Sequence, residues 1–213
     1  MTRRPALTLP LGASRRAAKR AYTVVELMMA LALFAVGATG VLAMQRVTIE
    51  SNTHARDVST ANRIGAAWLD QLRLDATMWN HPSELDPNSD LADTLWLKSV
   101  ATPAVWALPN PVYYQKRDWG AAFDALGRPV ADPTSDAVRY CAHLRLAALS
   151  PASSAYGRIR ATVRVVWRRA GADQTVPFCT ADSVATVSQA SSLPNFHFVY
   201  HTTVIAEQTA PRL

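Results

Sequence analysis

The sequence predicts an α+β fold: a long N-terminal helix, membrane-spanning in its first half, packed on a C-terminal antiparallel β-sheet. Three observations carry this expectation. Residues 22–45 form an apolar run whose only charge is Glu26. Beyond it a three-four helical spacing of apolar residues continues to about Arg73. In the last third, Arg158 to Arg168 alternates apolar and polar residues with the period of a half-buried strand.

The 213 residues (23.2 kDa), 49% hydrophobic and 18% charged, are enough for a folded domain and far from the composition of disorder. Two cysteines are too few for a disulfide-rich mini-protein or a four-cysteine zinc site. The formal charge of +6 suggests nucleic acid until it is located. Arg3, Arg4, Arg15, Arg16, Lys19 and Arg20 all precede residue 22, where no acid occurs. The 16 basic residues that remain balance 16 acidic ones, so no nucleic-acid partner is expected.

As a helix, Tyr22 to Gln45 would reach roughly 36 Å, against a hydrocarbon core of about 30 Å. The basic residues before it keep residues 1–21 in the cytoplasm and send the body across the inner membrane in a single pass. A secretory signal peptide cut after Val41-Leu42-Ala43 and a plain signal anchor are alternatives. Neither explains Glu26. A lone carboxylate in lipid costs on the order of 3 kcal/mol and calls for a partner. Cleavage between Ala21 and Tyr22 would make one, a free α-amino group almost one helical turn before Glu26.

Arg20, Ala21, Tyr22, Thr23, Val24, Val25 and Glu26, followed by the apolar helix, resemble the processing signal of the type IV prepilin family. The resemblance implies that prepilin peptidase removes the basic leader, residues 1–21, and N-methylates Tyr22. The family usually has Gly before the cut and Phe after it. Ala21 is still small and Tyr22 keeps the ring, so processing is expected. Gly37, Gly40 and Gln45, with Asn52 beyond, are similar to the arrangement in PilV-like minor pilins. The two glycines are read either as sites of close helix approach or as ordinary lipid-facing residues.

That resemblance implies a pilin-like fold and a minor type IV pilin, a structural or priming subunit moving from the inner membrane to a cell-surface pilus. Its partners would be prepilin peptidase, other major and minor pilins, the pilus assembly platform and inner-membrane lipid. In assembly, Glu26 of one subunit would neutralise the Tyr22 amine of its neighbour. The alternatives are a type II secretion pseudopilin and a membrane-anchored, adhesin-like binding module.

Residues 46–75 continue the helix, with Val58, Ala61, Gly65, Trp68 and Leu72 along one face. Residues 76–213 form the extracytoplasmic domain. Its stretch from 79 to 135, broken by Pro82, Pro87, Pro103, Pro109, Pro111, Pro129 and Pro133, reads as loop with short helical turns. Trp68, Trp79, Trp96, Trp106 and Trp119 are read as plugs of a loop-rich core, the alternative being a sugar-stacking surface. Strands are expected at Tyr140 to Leu146, Arg158 to Arg168 and Phe196 to Glu207, most simply as an antiparallel sheet. Cys141 and Cys179 lie outside the cytoplasm, where disulfides persist, and are expected to be bonded; two free thiols are the alternative.

Other patterns are weak. Asp86, Asn88 and Asp90 have the one-three-five spacing of a calcium loop, but Leu91 and Leu97 replace its Gly and Glu, so a solvated turn is expected and no metal. His197 and His201 lie about 13 Å apart along one strand, too far to share a metal, and read as sheet-surface residues. Arg158, Arg160, Arg164, Arg168 and Arg169 read as a solvated or subunit-facing strand surface. No phosphate loop, His-Glu-x-x-His or Gly-x-Ser-x-Gly appears, so neither enzymatic activity nor a cofactor is expected.

Overall fold

A computed structural model of the chain describes residues 23–79, 90–101, 103–114, 117–149, 157–173 and 175–207. It divides into two units, Met1–Ser51 and Asn52–Leu213. Helix α1 runs Val24–Trp79, past Arg73 where the sequence places its end. Within Asn52–Leu213 its buried residues are Ala61, Ile64, Gly65, Trp68, Gln71, Leu72, Asp75, Ala76 and Trp79, one or two per helical turn along one face.

That stripe packs on a four-stranded antiparallel sheet of β3 (Ala122–Phe123), β4 (Tyr140–Ala148), β5 (Arg158–Arg168) and β6 (Phe196–Ala206), in that order. The architecture is α+β, as the helical and alternating patterns imply, and pilin-like, as the prepilin resemblance implies. Ile159, Ala161, Val163, Val165 and Trp167 of β5 are all buried in the core that also holds Ile64, Trp68 and Leu72. A separate hairpin of β1 (Val112–Tyr114) and β2 (Arg117–Trp119) lies where the sequence reading has loop. Three-residue strands are too short for a period-two pattern to register.

The tryptophans behave mainly as core. Trp68 is fully buried, with Trp96 and Trp119 edge-on at centroid distances of 5.4 and 5.6 Å. The loops that carry these rings are tied down by a carboxylate the sequence reading missed. Asp75 is buried on α1, where Oδ1 accepts Leu95 N–H at 2.6 Å and Oδ2 accepts Trp96 and Leu97 N–H, both at 2.9 Å. Three amides at the start of the 3-10 turn Leu97–Ser99 are thereby satisfied by one side chain.

Two further contacts hold α1 to the sheet. Asp57 accepts Tyr140 Oη–H at 2.8 Å and Arg139 Nη2–H at 3.0 Å. Burial, followed by the Asp57 carboxylate, pushes the Tyr140 phenol up to about 12. At Gly65 a Cβ would overlap the His201 imidazole, so the helix reaches β6 only because no side chain stands between them.

The outer sheet face is covered at one end by the chain between β5 and β6, which includes the short helix α2 (Ser183–Val187). Cys141 and Cys179 are bonded there, with Cα atoms 5.4 Å apart. Closing that loop stabilises the fold by roughly 4 kcal/mol in the chain-entropy model. Beside the disulfide, Arg164 is buried and donates from Nη1 to Ser188 Oγ at 3.0 Å and from Nη2 to His143 Nδ1 at 2.6 Å. Its guanidinium also lies 4.5 Å from the Trp106 ring centroid. Of the expected basic strand surface only Arg158, Arg160 and Arg169 are exposed; Arg164 is buried and Arg168 half-buried, because α2 and its flanking loops cover the far end of β5.

Because Arg164 donates to Nδ1, the His143 proton sits on Nε2, 3.3 Å from the Phe178 carbonyl it points to. Burial, then the Arg164 charge, pushes this imidazole down to about 3.

Three outcomes follow. Asp75→Ala leaves three amides without an acceptor and should cost about 3 kcal/mol of unfolding free energy in denaturant melts of the full chain in detergent. Gly65→Ala should lower the melting temperature, and His201→Ala in the same chain should restore part of the loss; additive losses would refute the contact. Below pH 6.5 the unfolded chain protonates His143 while the folded one does not until about 3. Stability should therefore fall across that window by up to about 1.4 kcal/mol per pH unit and be flat in this respect above it. His143→Gln should flatten that slope in melts at pH 7, 5 and 4.

Candidate functional site at the helix start

The processing junction Ala21–Tyr22 lies outside the described residues, which begin at Thr23. Thr23 caps α1: its Oγ1 accepts Glu26 N–H at 3.3 Å, and its carbonyl accepts Leu27 N–H at 3.2 Å. Thr23-Val24-Val25-Glu26 thus has the spacing of a capping box, with the acid in the first turn where the helix dipole favours it.

The segment that follows is apolar on every side. Val24, Val25, Leu27, Met28, Met29, Leu31, Leu33 and Phe34 are all exposed, and the helix is long and apolar enough to cross a membrane. Its internal hydroxyls are already satisfied. Thr39 donates to Val36 O at 2.8 Å and Thr48 to Met44 O at 2.9 Å, so neither needs a second helix. The Glu26 carboxylate differs, since it has no ion-pair partner among the described residues. No described residue approaches a Cβ at Gly37 or Gly40, so among the described residues their lack of side chains meets no intramolecular need.

The remaining sequence candidates do not converge. Asp86 and Asn88 lie outside the described residues, and Leu97, which occupies the twelfth position of that spacing, is fully buried in the core. His197 and His201 are not sheet-surface residues: they face α1. The His197 ring lies between those of His54, at 4.7 Å, and Trp167, at 5.3 Å, while His201 sits under Gly65. The alternation correctly put both histidines on one face, but that is the face the helix covers. No group of three or more His, Cys, Asp or Glu is placed to hold a metal among the described residues. Trp106 departs from the other tryptophans. It lies over the outer face against Arg164 and 6.0 Å from the exposed Tyr200 ring, at the mouth of a cleft of about 440 Å³ lined by Leu108, Pro109, Val130 and Val184.

No curated protein and no solved structure matches the chain. Residues 16–42 match the prokaryotic N-terminal methylation motif, a stretch that contains Ala21, Tyr22, Glu26 and both membrane-segment glycines. This prepilin-type signal, joined to an apolar helix and an α+β domain, makes the chain type IV pilin- or pseudopilin-like.

Proposed function

We propose that the chain is a minor type IV pilin, a non-enzymatic structural or priming subunit. Prepilin peptidase cuts it between Ala21 and Tyr22 and methylates the new terminus. The apolar helix holds the subunit in the inner membrane, N-terminus inward, until the assembly platform moves it into a pilus among other major and minor pilins. The observation that carries this reading is Glu26, a carboxylate on an otherwise uncharged, fully exposed helical segment with no ion-pair partner among the described residues.

The chemistry follows from transfer out of lipid. A subunit entering a bundle of like helices exchanges lipid contacts for helix contacts at little cost, so apolar packing alone selects no axial register. The pairing of Glu26 with a neighbour's Tyr22 amine selects one. Any other offset leaves two charges unpaired in a low-dielectric bundle, at about 3 kcal/mol or more.

Glu26→Lys should therefore reduce incorporation roughly a hundredfold, since 1.4 kcal/mol is a factor of ten, and leave melting of the globular domain unchanged. Glu26→Gln, which keeps the shape and loses the charge, should fall between the two. Normal pilus assembly by Glu26→Lys would refute the pairing. Mass spectrometry of the mature terminus should find methylated Tyr22. An intact leader, or a start at Met44, sinks the assignment, and a secretion defect with intact pili moves the chain to the type II secretion pseudopilins.

A further inference from the structure

Strand β6 is a sheet edge without the usual protections. It pairs residue for residue with β5 from Phe196 to Ala206, without a bulge, and among the described residues no strand follows it in the sheet order. Phe-His-Phe-Val-Tyr-His-Thr-Thr-Val-Ile-Ala contains no Pro, Lys, Arg, Asp or Glu. A long, bulge-free, uncharged edge of β-branched and aromatic residues is a template for another strand. The opposite edge differs, being only the two residues Ala122–Phe123 of β3, with Ala107 bridged to Leu144 beyond them.

The hydrogen-bond parity shows which groups are on offer. Glu207 N–H donates to Gly157 O and Arg169 N–H to Asn195 O, so odd-numbered residues turn their main chain toward β5. The main chains of Phe198, Tyr200, Thr202 and Val204 therefore point outward, and none has a backbone partner among the described residues. The side chains of the same four residues lie on the outer sheet face, where Tyr200 and Val204 are more than half exposed.

The direction of α1 limits what can dock. His54 meets His197, Gly65 meets His201, and Trp79 lies at Gly157, which is bonded to Glu207; α1 thus runs in the same sense as β6. Two copies paired antiparallel through β6 would be related by a dyad normal to the sheet. That dyad reverses the part of α1 from Asn52 onward, so the apolar segments of the two copies would join the paired sheets at opposite ends, and copies whose apolar segments enter from one side cannot pair this way. Parallel self-pairing belongs to sheets covered on both faces, and the outer face here is open at Tyr200 and Val204. The β3 edge of a second copy is too short to match eleven residues.

We infer that the outer edge of β6 pairs in the assembled state with an extended, uncharged strand of a different subunit. That strand runs antiparallel to β6, and its subunit's long helix runs parallel to α1. Main-chain bonds from Phe198, Tyr200, Thr202 and Val204 provide the attraction, and an uncharged, Pro-free partner strand fits the face they present. The inference rests on the assembly role proposed above, but the terminus analysis tests that role without reference to β6.

Amide exchange is the direct measurement, on the full chain alone in detergent and on the full chain recovered in its assembled fibre. Alone, Tyr200, Thr202 and Val204 should exchange at least about tenfold faster than Val199, His201 and Thr203, and in the fibre they should slow at least about tenfold. Thr202→Pro removes one outward N–H; it should leave melting of the isolated chain nearly unchanged and lower incorporation about tenfold. Protection of the even-numbered amides in the isolated chain, or its absence in the fibre, overturns the inference. So does unchanged incorporation of a folded Thr202→Pro chain, or disulfide-linked pairs of Thr202→Cys chains.

Discussion

The contact between α1 and the sheet organises the globular unit, and it requires a helix whose surface changes along its length. From Leu27 to Met44 the helix exposes apolar side chains all round, a surface suited to lipid or to other helices but not to water. From Ala61 to Trp79 it buries one narrow stripe. Glycine at position 65 lets that stripe come down on β6, and Asp57 and Asp75 fasten it to β4 and to the tryptophan-bearing loops. The core that results is the space this single stripe leaves above four strands.

Buried polar groups then specify the arrangement. Asp75 gathers three amides, and Asp57 takes a phenol and a guanidinium. Arg164 is shared between Ser188, His143 and the face of Trp106 without any carboxylate among those partners. A guanidinium buried this way is costly, and hydrogen bonds with cation–π contact offset part of the cost. The disulfide and the His143 ring reach adjacent residues, Cys179 and Phe178, so the chain between β5 and β6 is fixed to β4 at one point by both covalent and polar links.

The two units differ in what they carry. The unit up to Ser51 holds the methylation motif and Glu26, whose carboxylate has no ion-pair partner among the described residues. The unit from Asn52 onward carries the β6 edge, unpaired on its outer side among the described residues, and an aromatic-basic outer face.

Sequence alone determined the parts whose physics is local. An apolar run of that length can span a membrane, an acid within it demands a partner, and a period of two over eleven residues marks a strand; α1, β5 and the processing signal were legible on those grounds. The β1–β2 hairpin was not, because three-residue strands are shorter than the pattern that reveals them. Which strand face α1 covers was equally hidden. Alternation places Arg164, His197 and His201 on faces but does not say what lies over them, since that depends on chain remote in sequence: α2 over Arg164, Gly65 over His201. Asp75 reads as one more surface acid on a helix until folding brings the amides of Leu95, Trp96 and Leu97 to it. Burial and partnership are properties of what comes to rest nearby, and only the tertiary structure decides that.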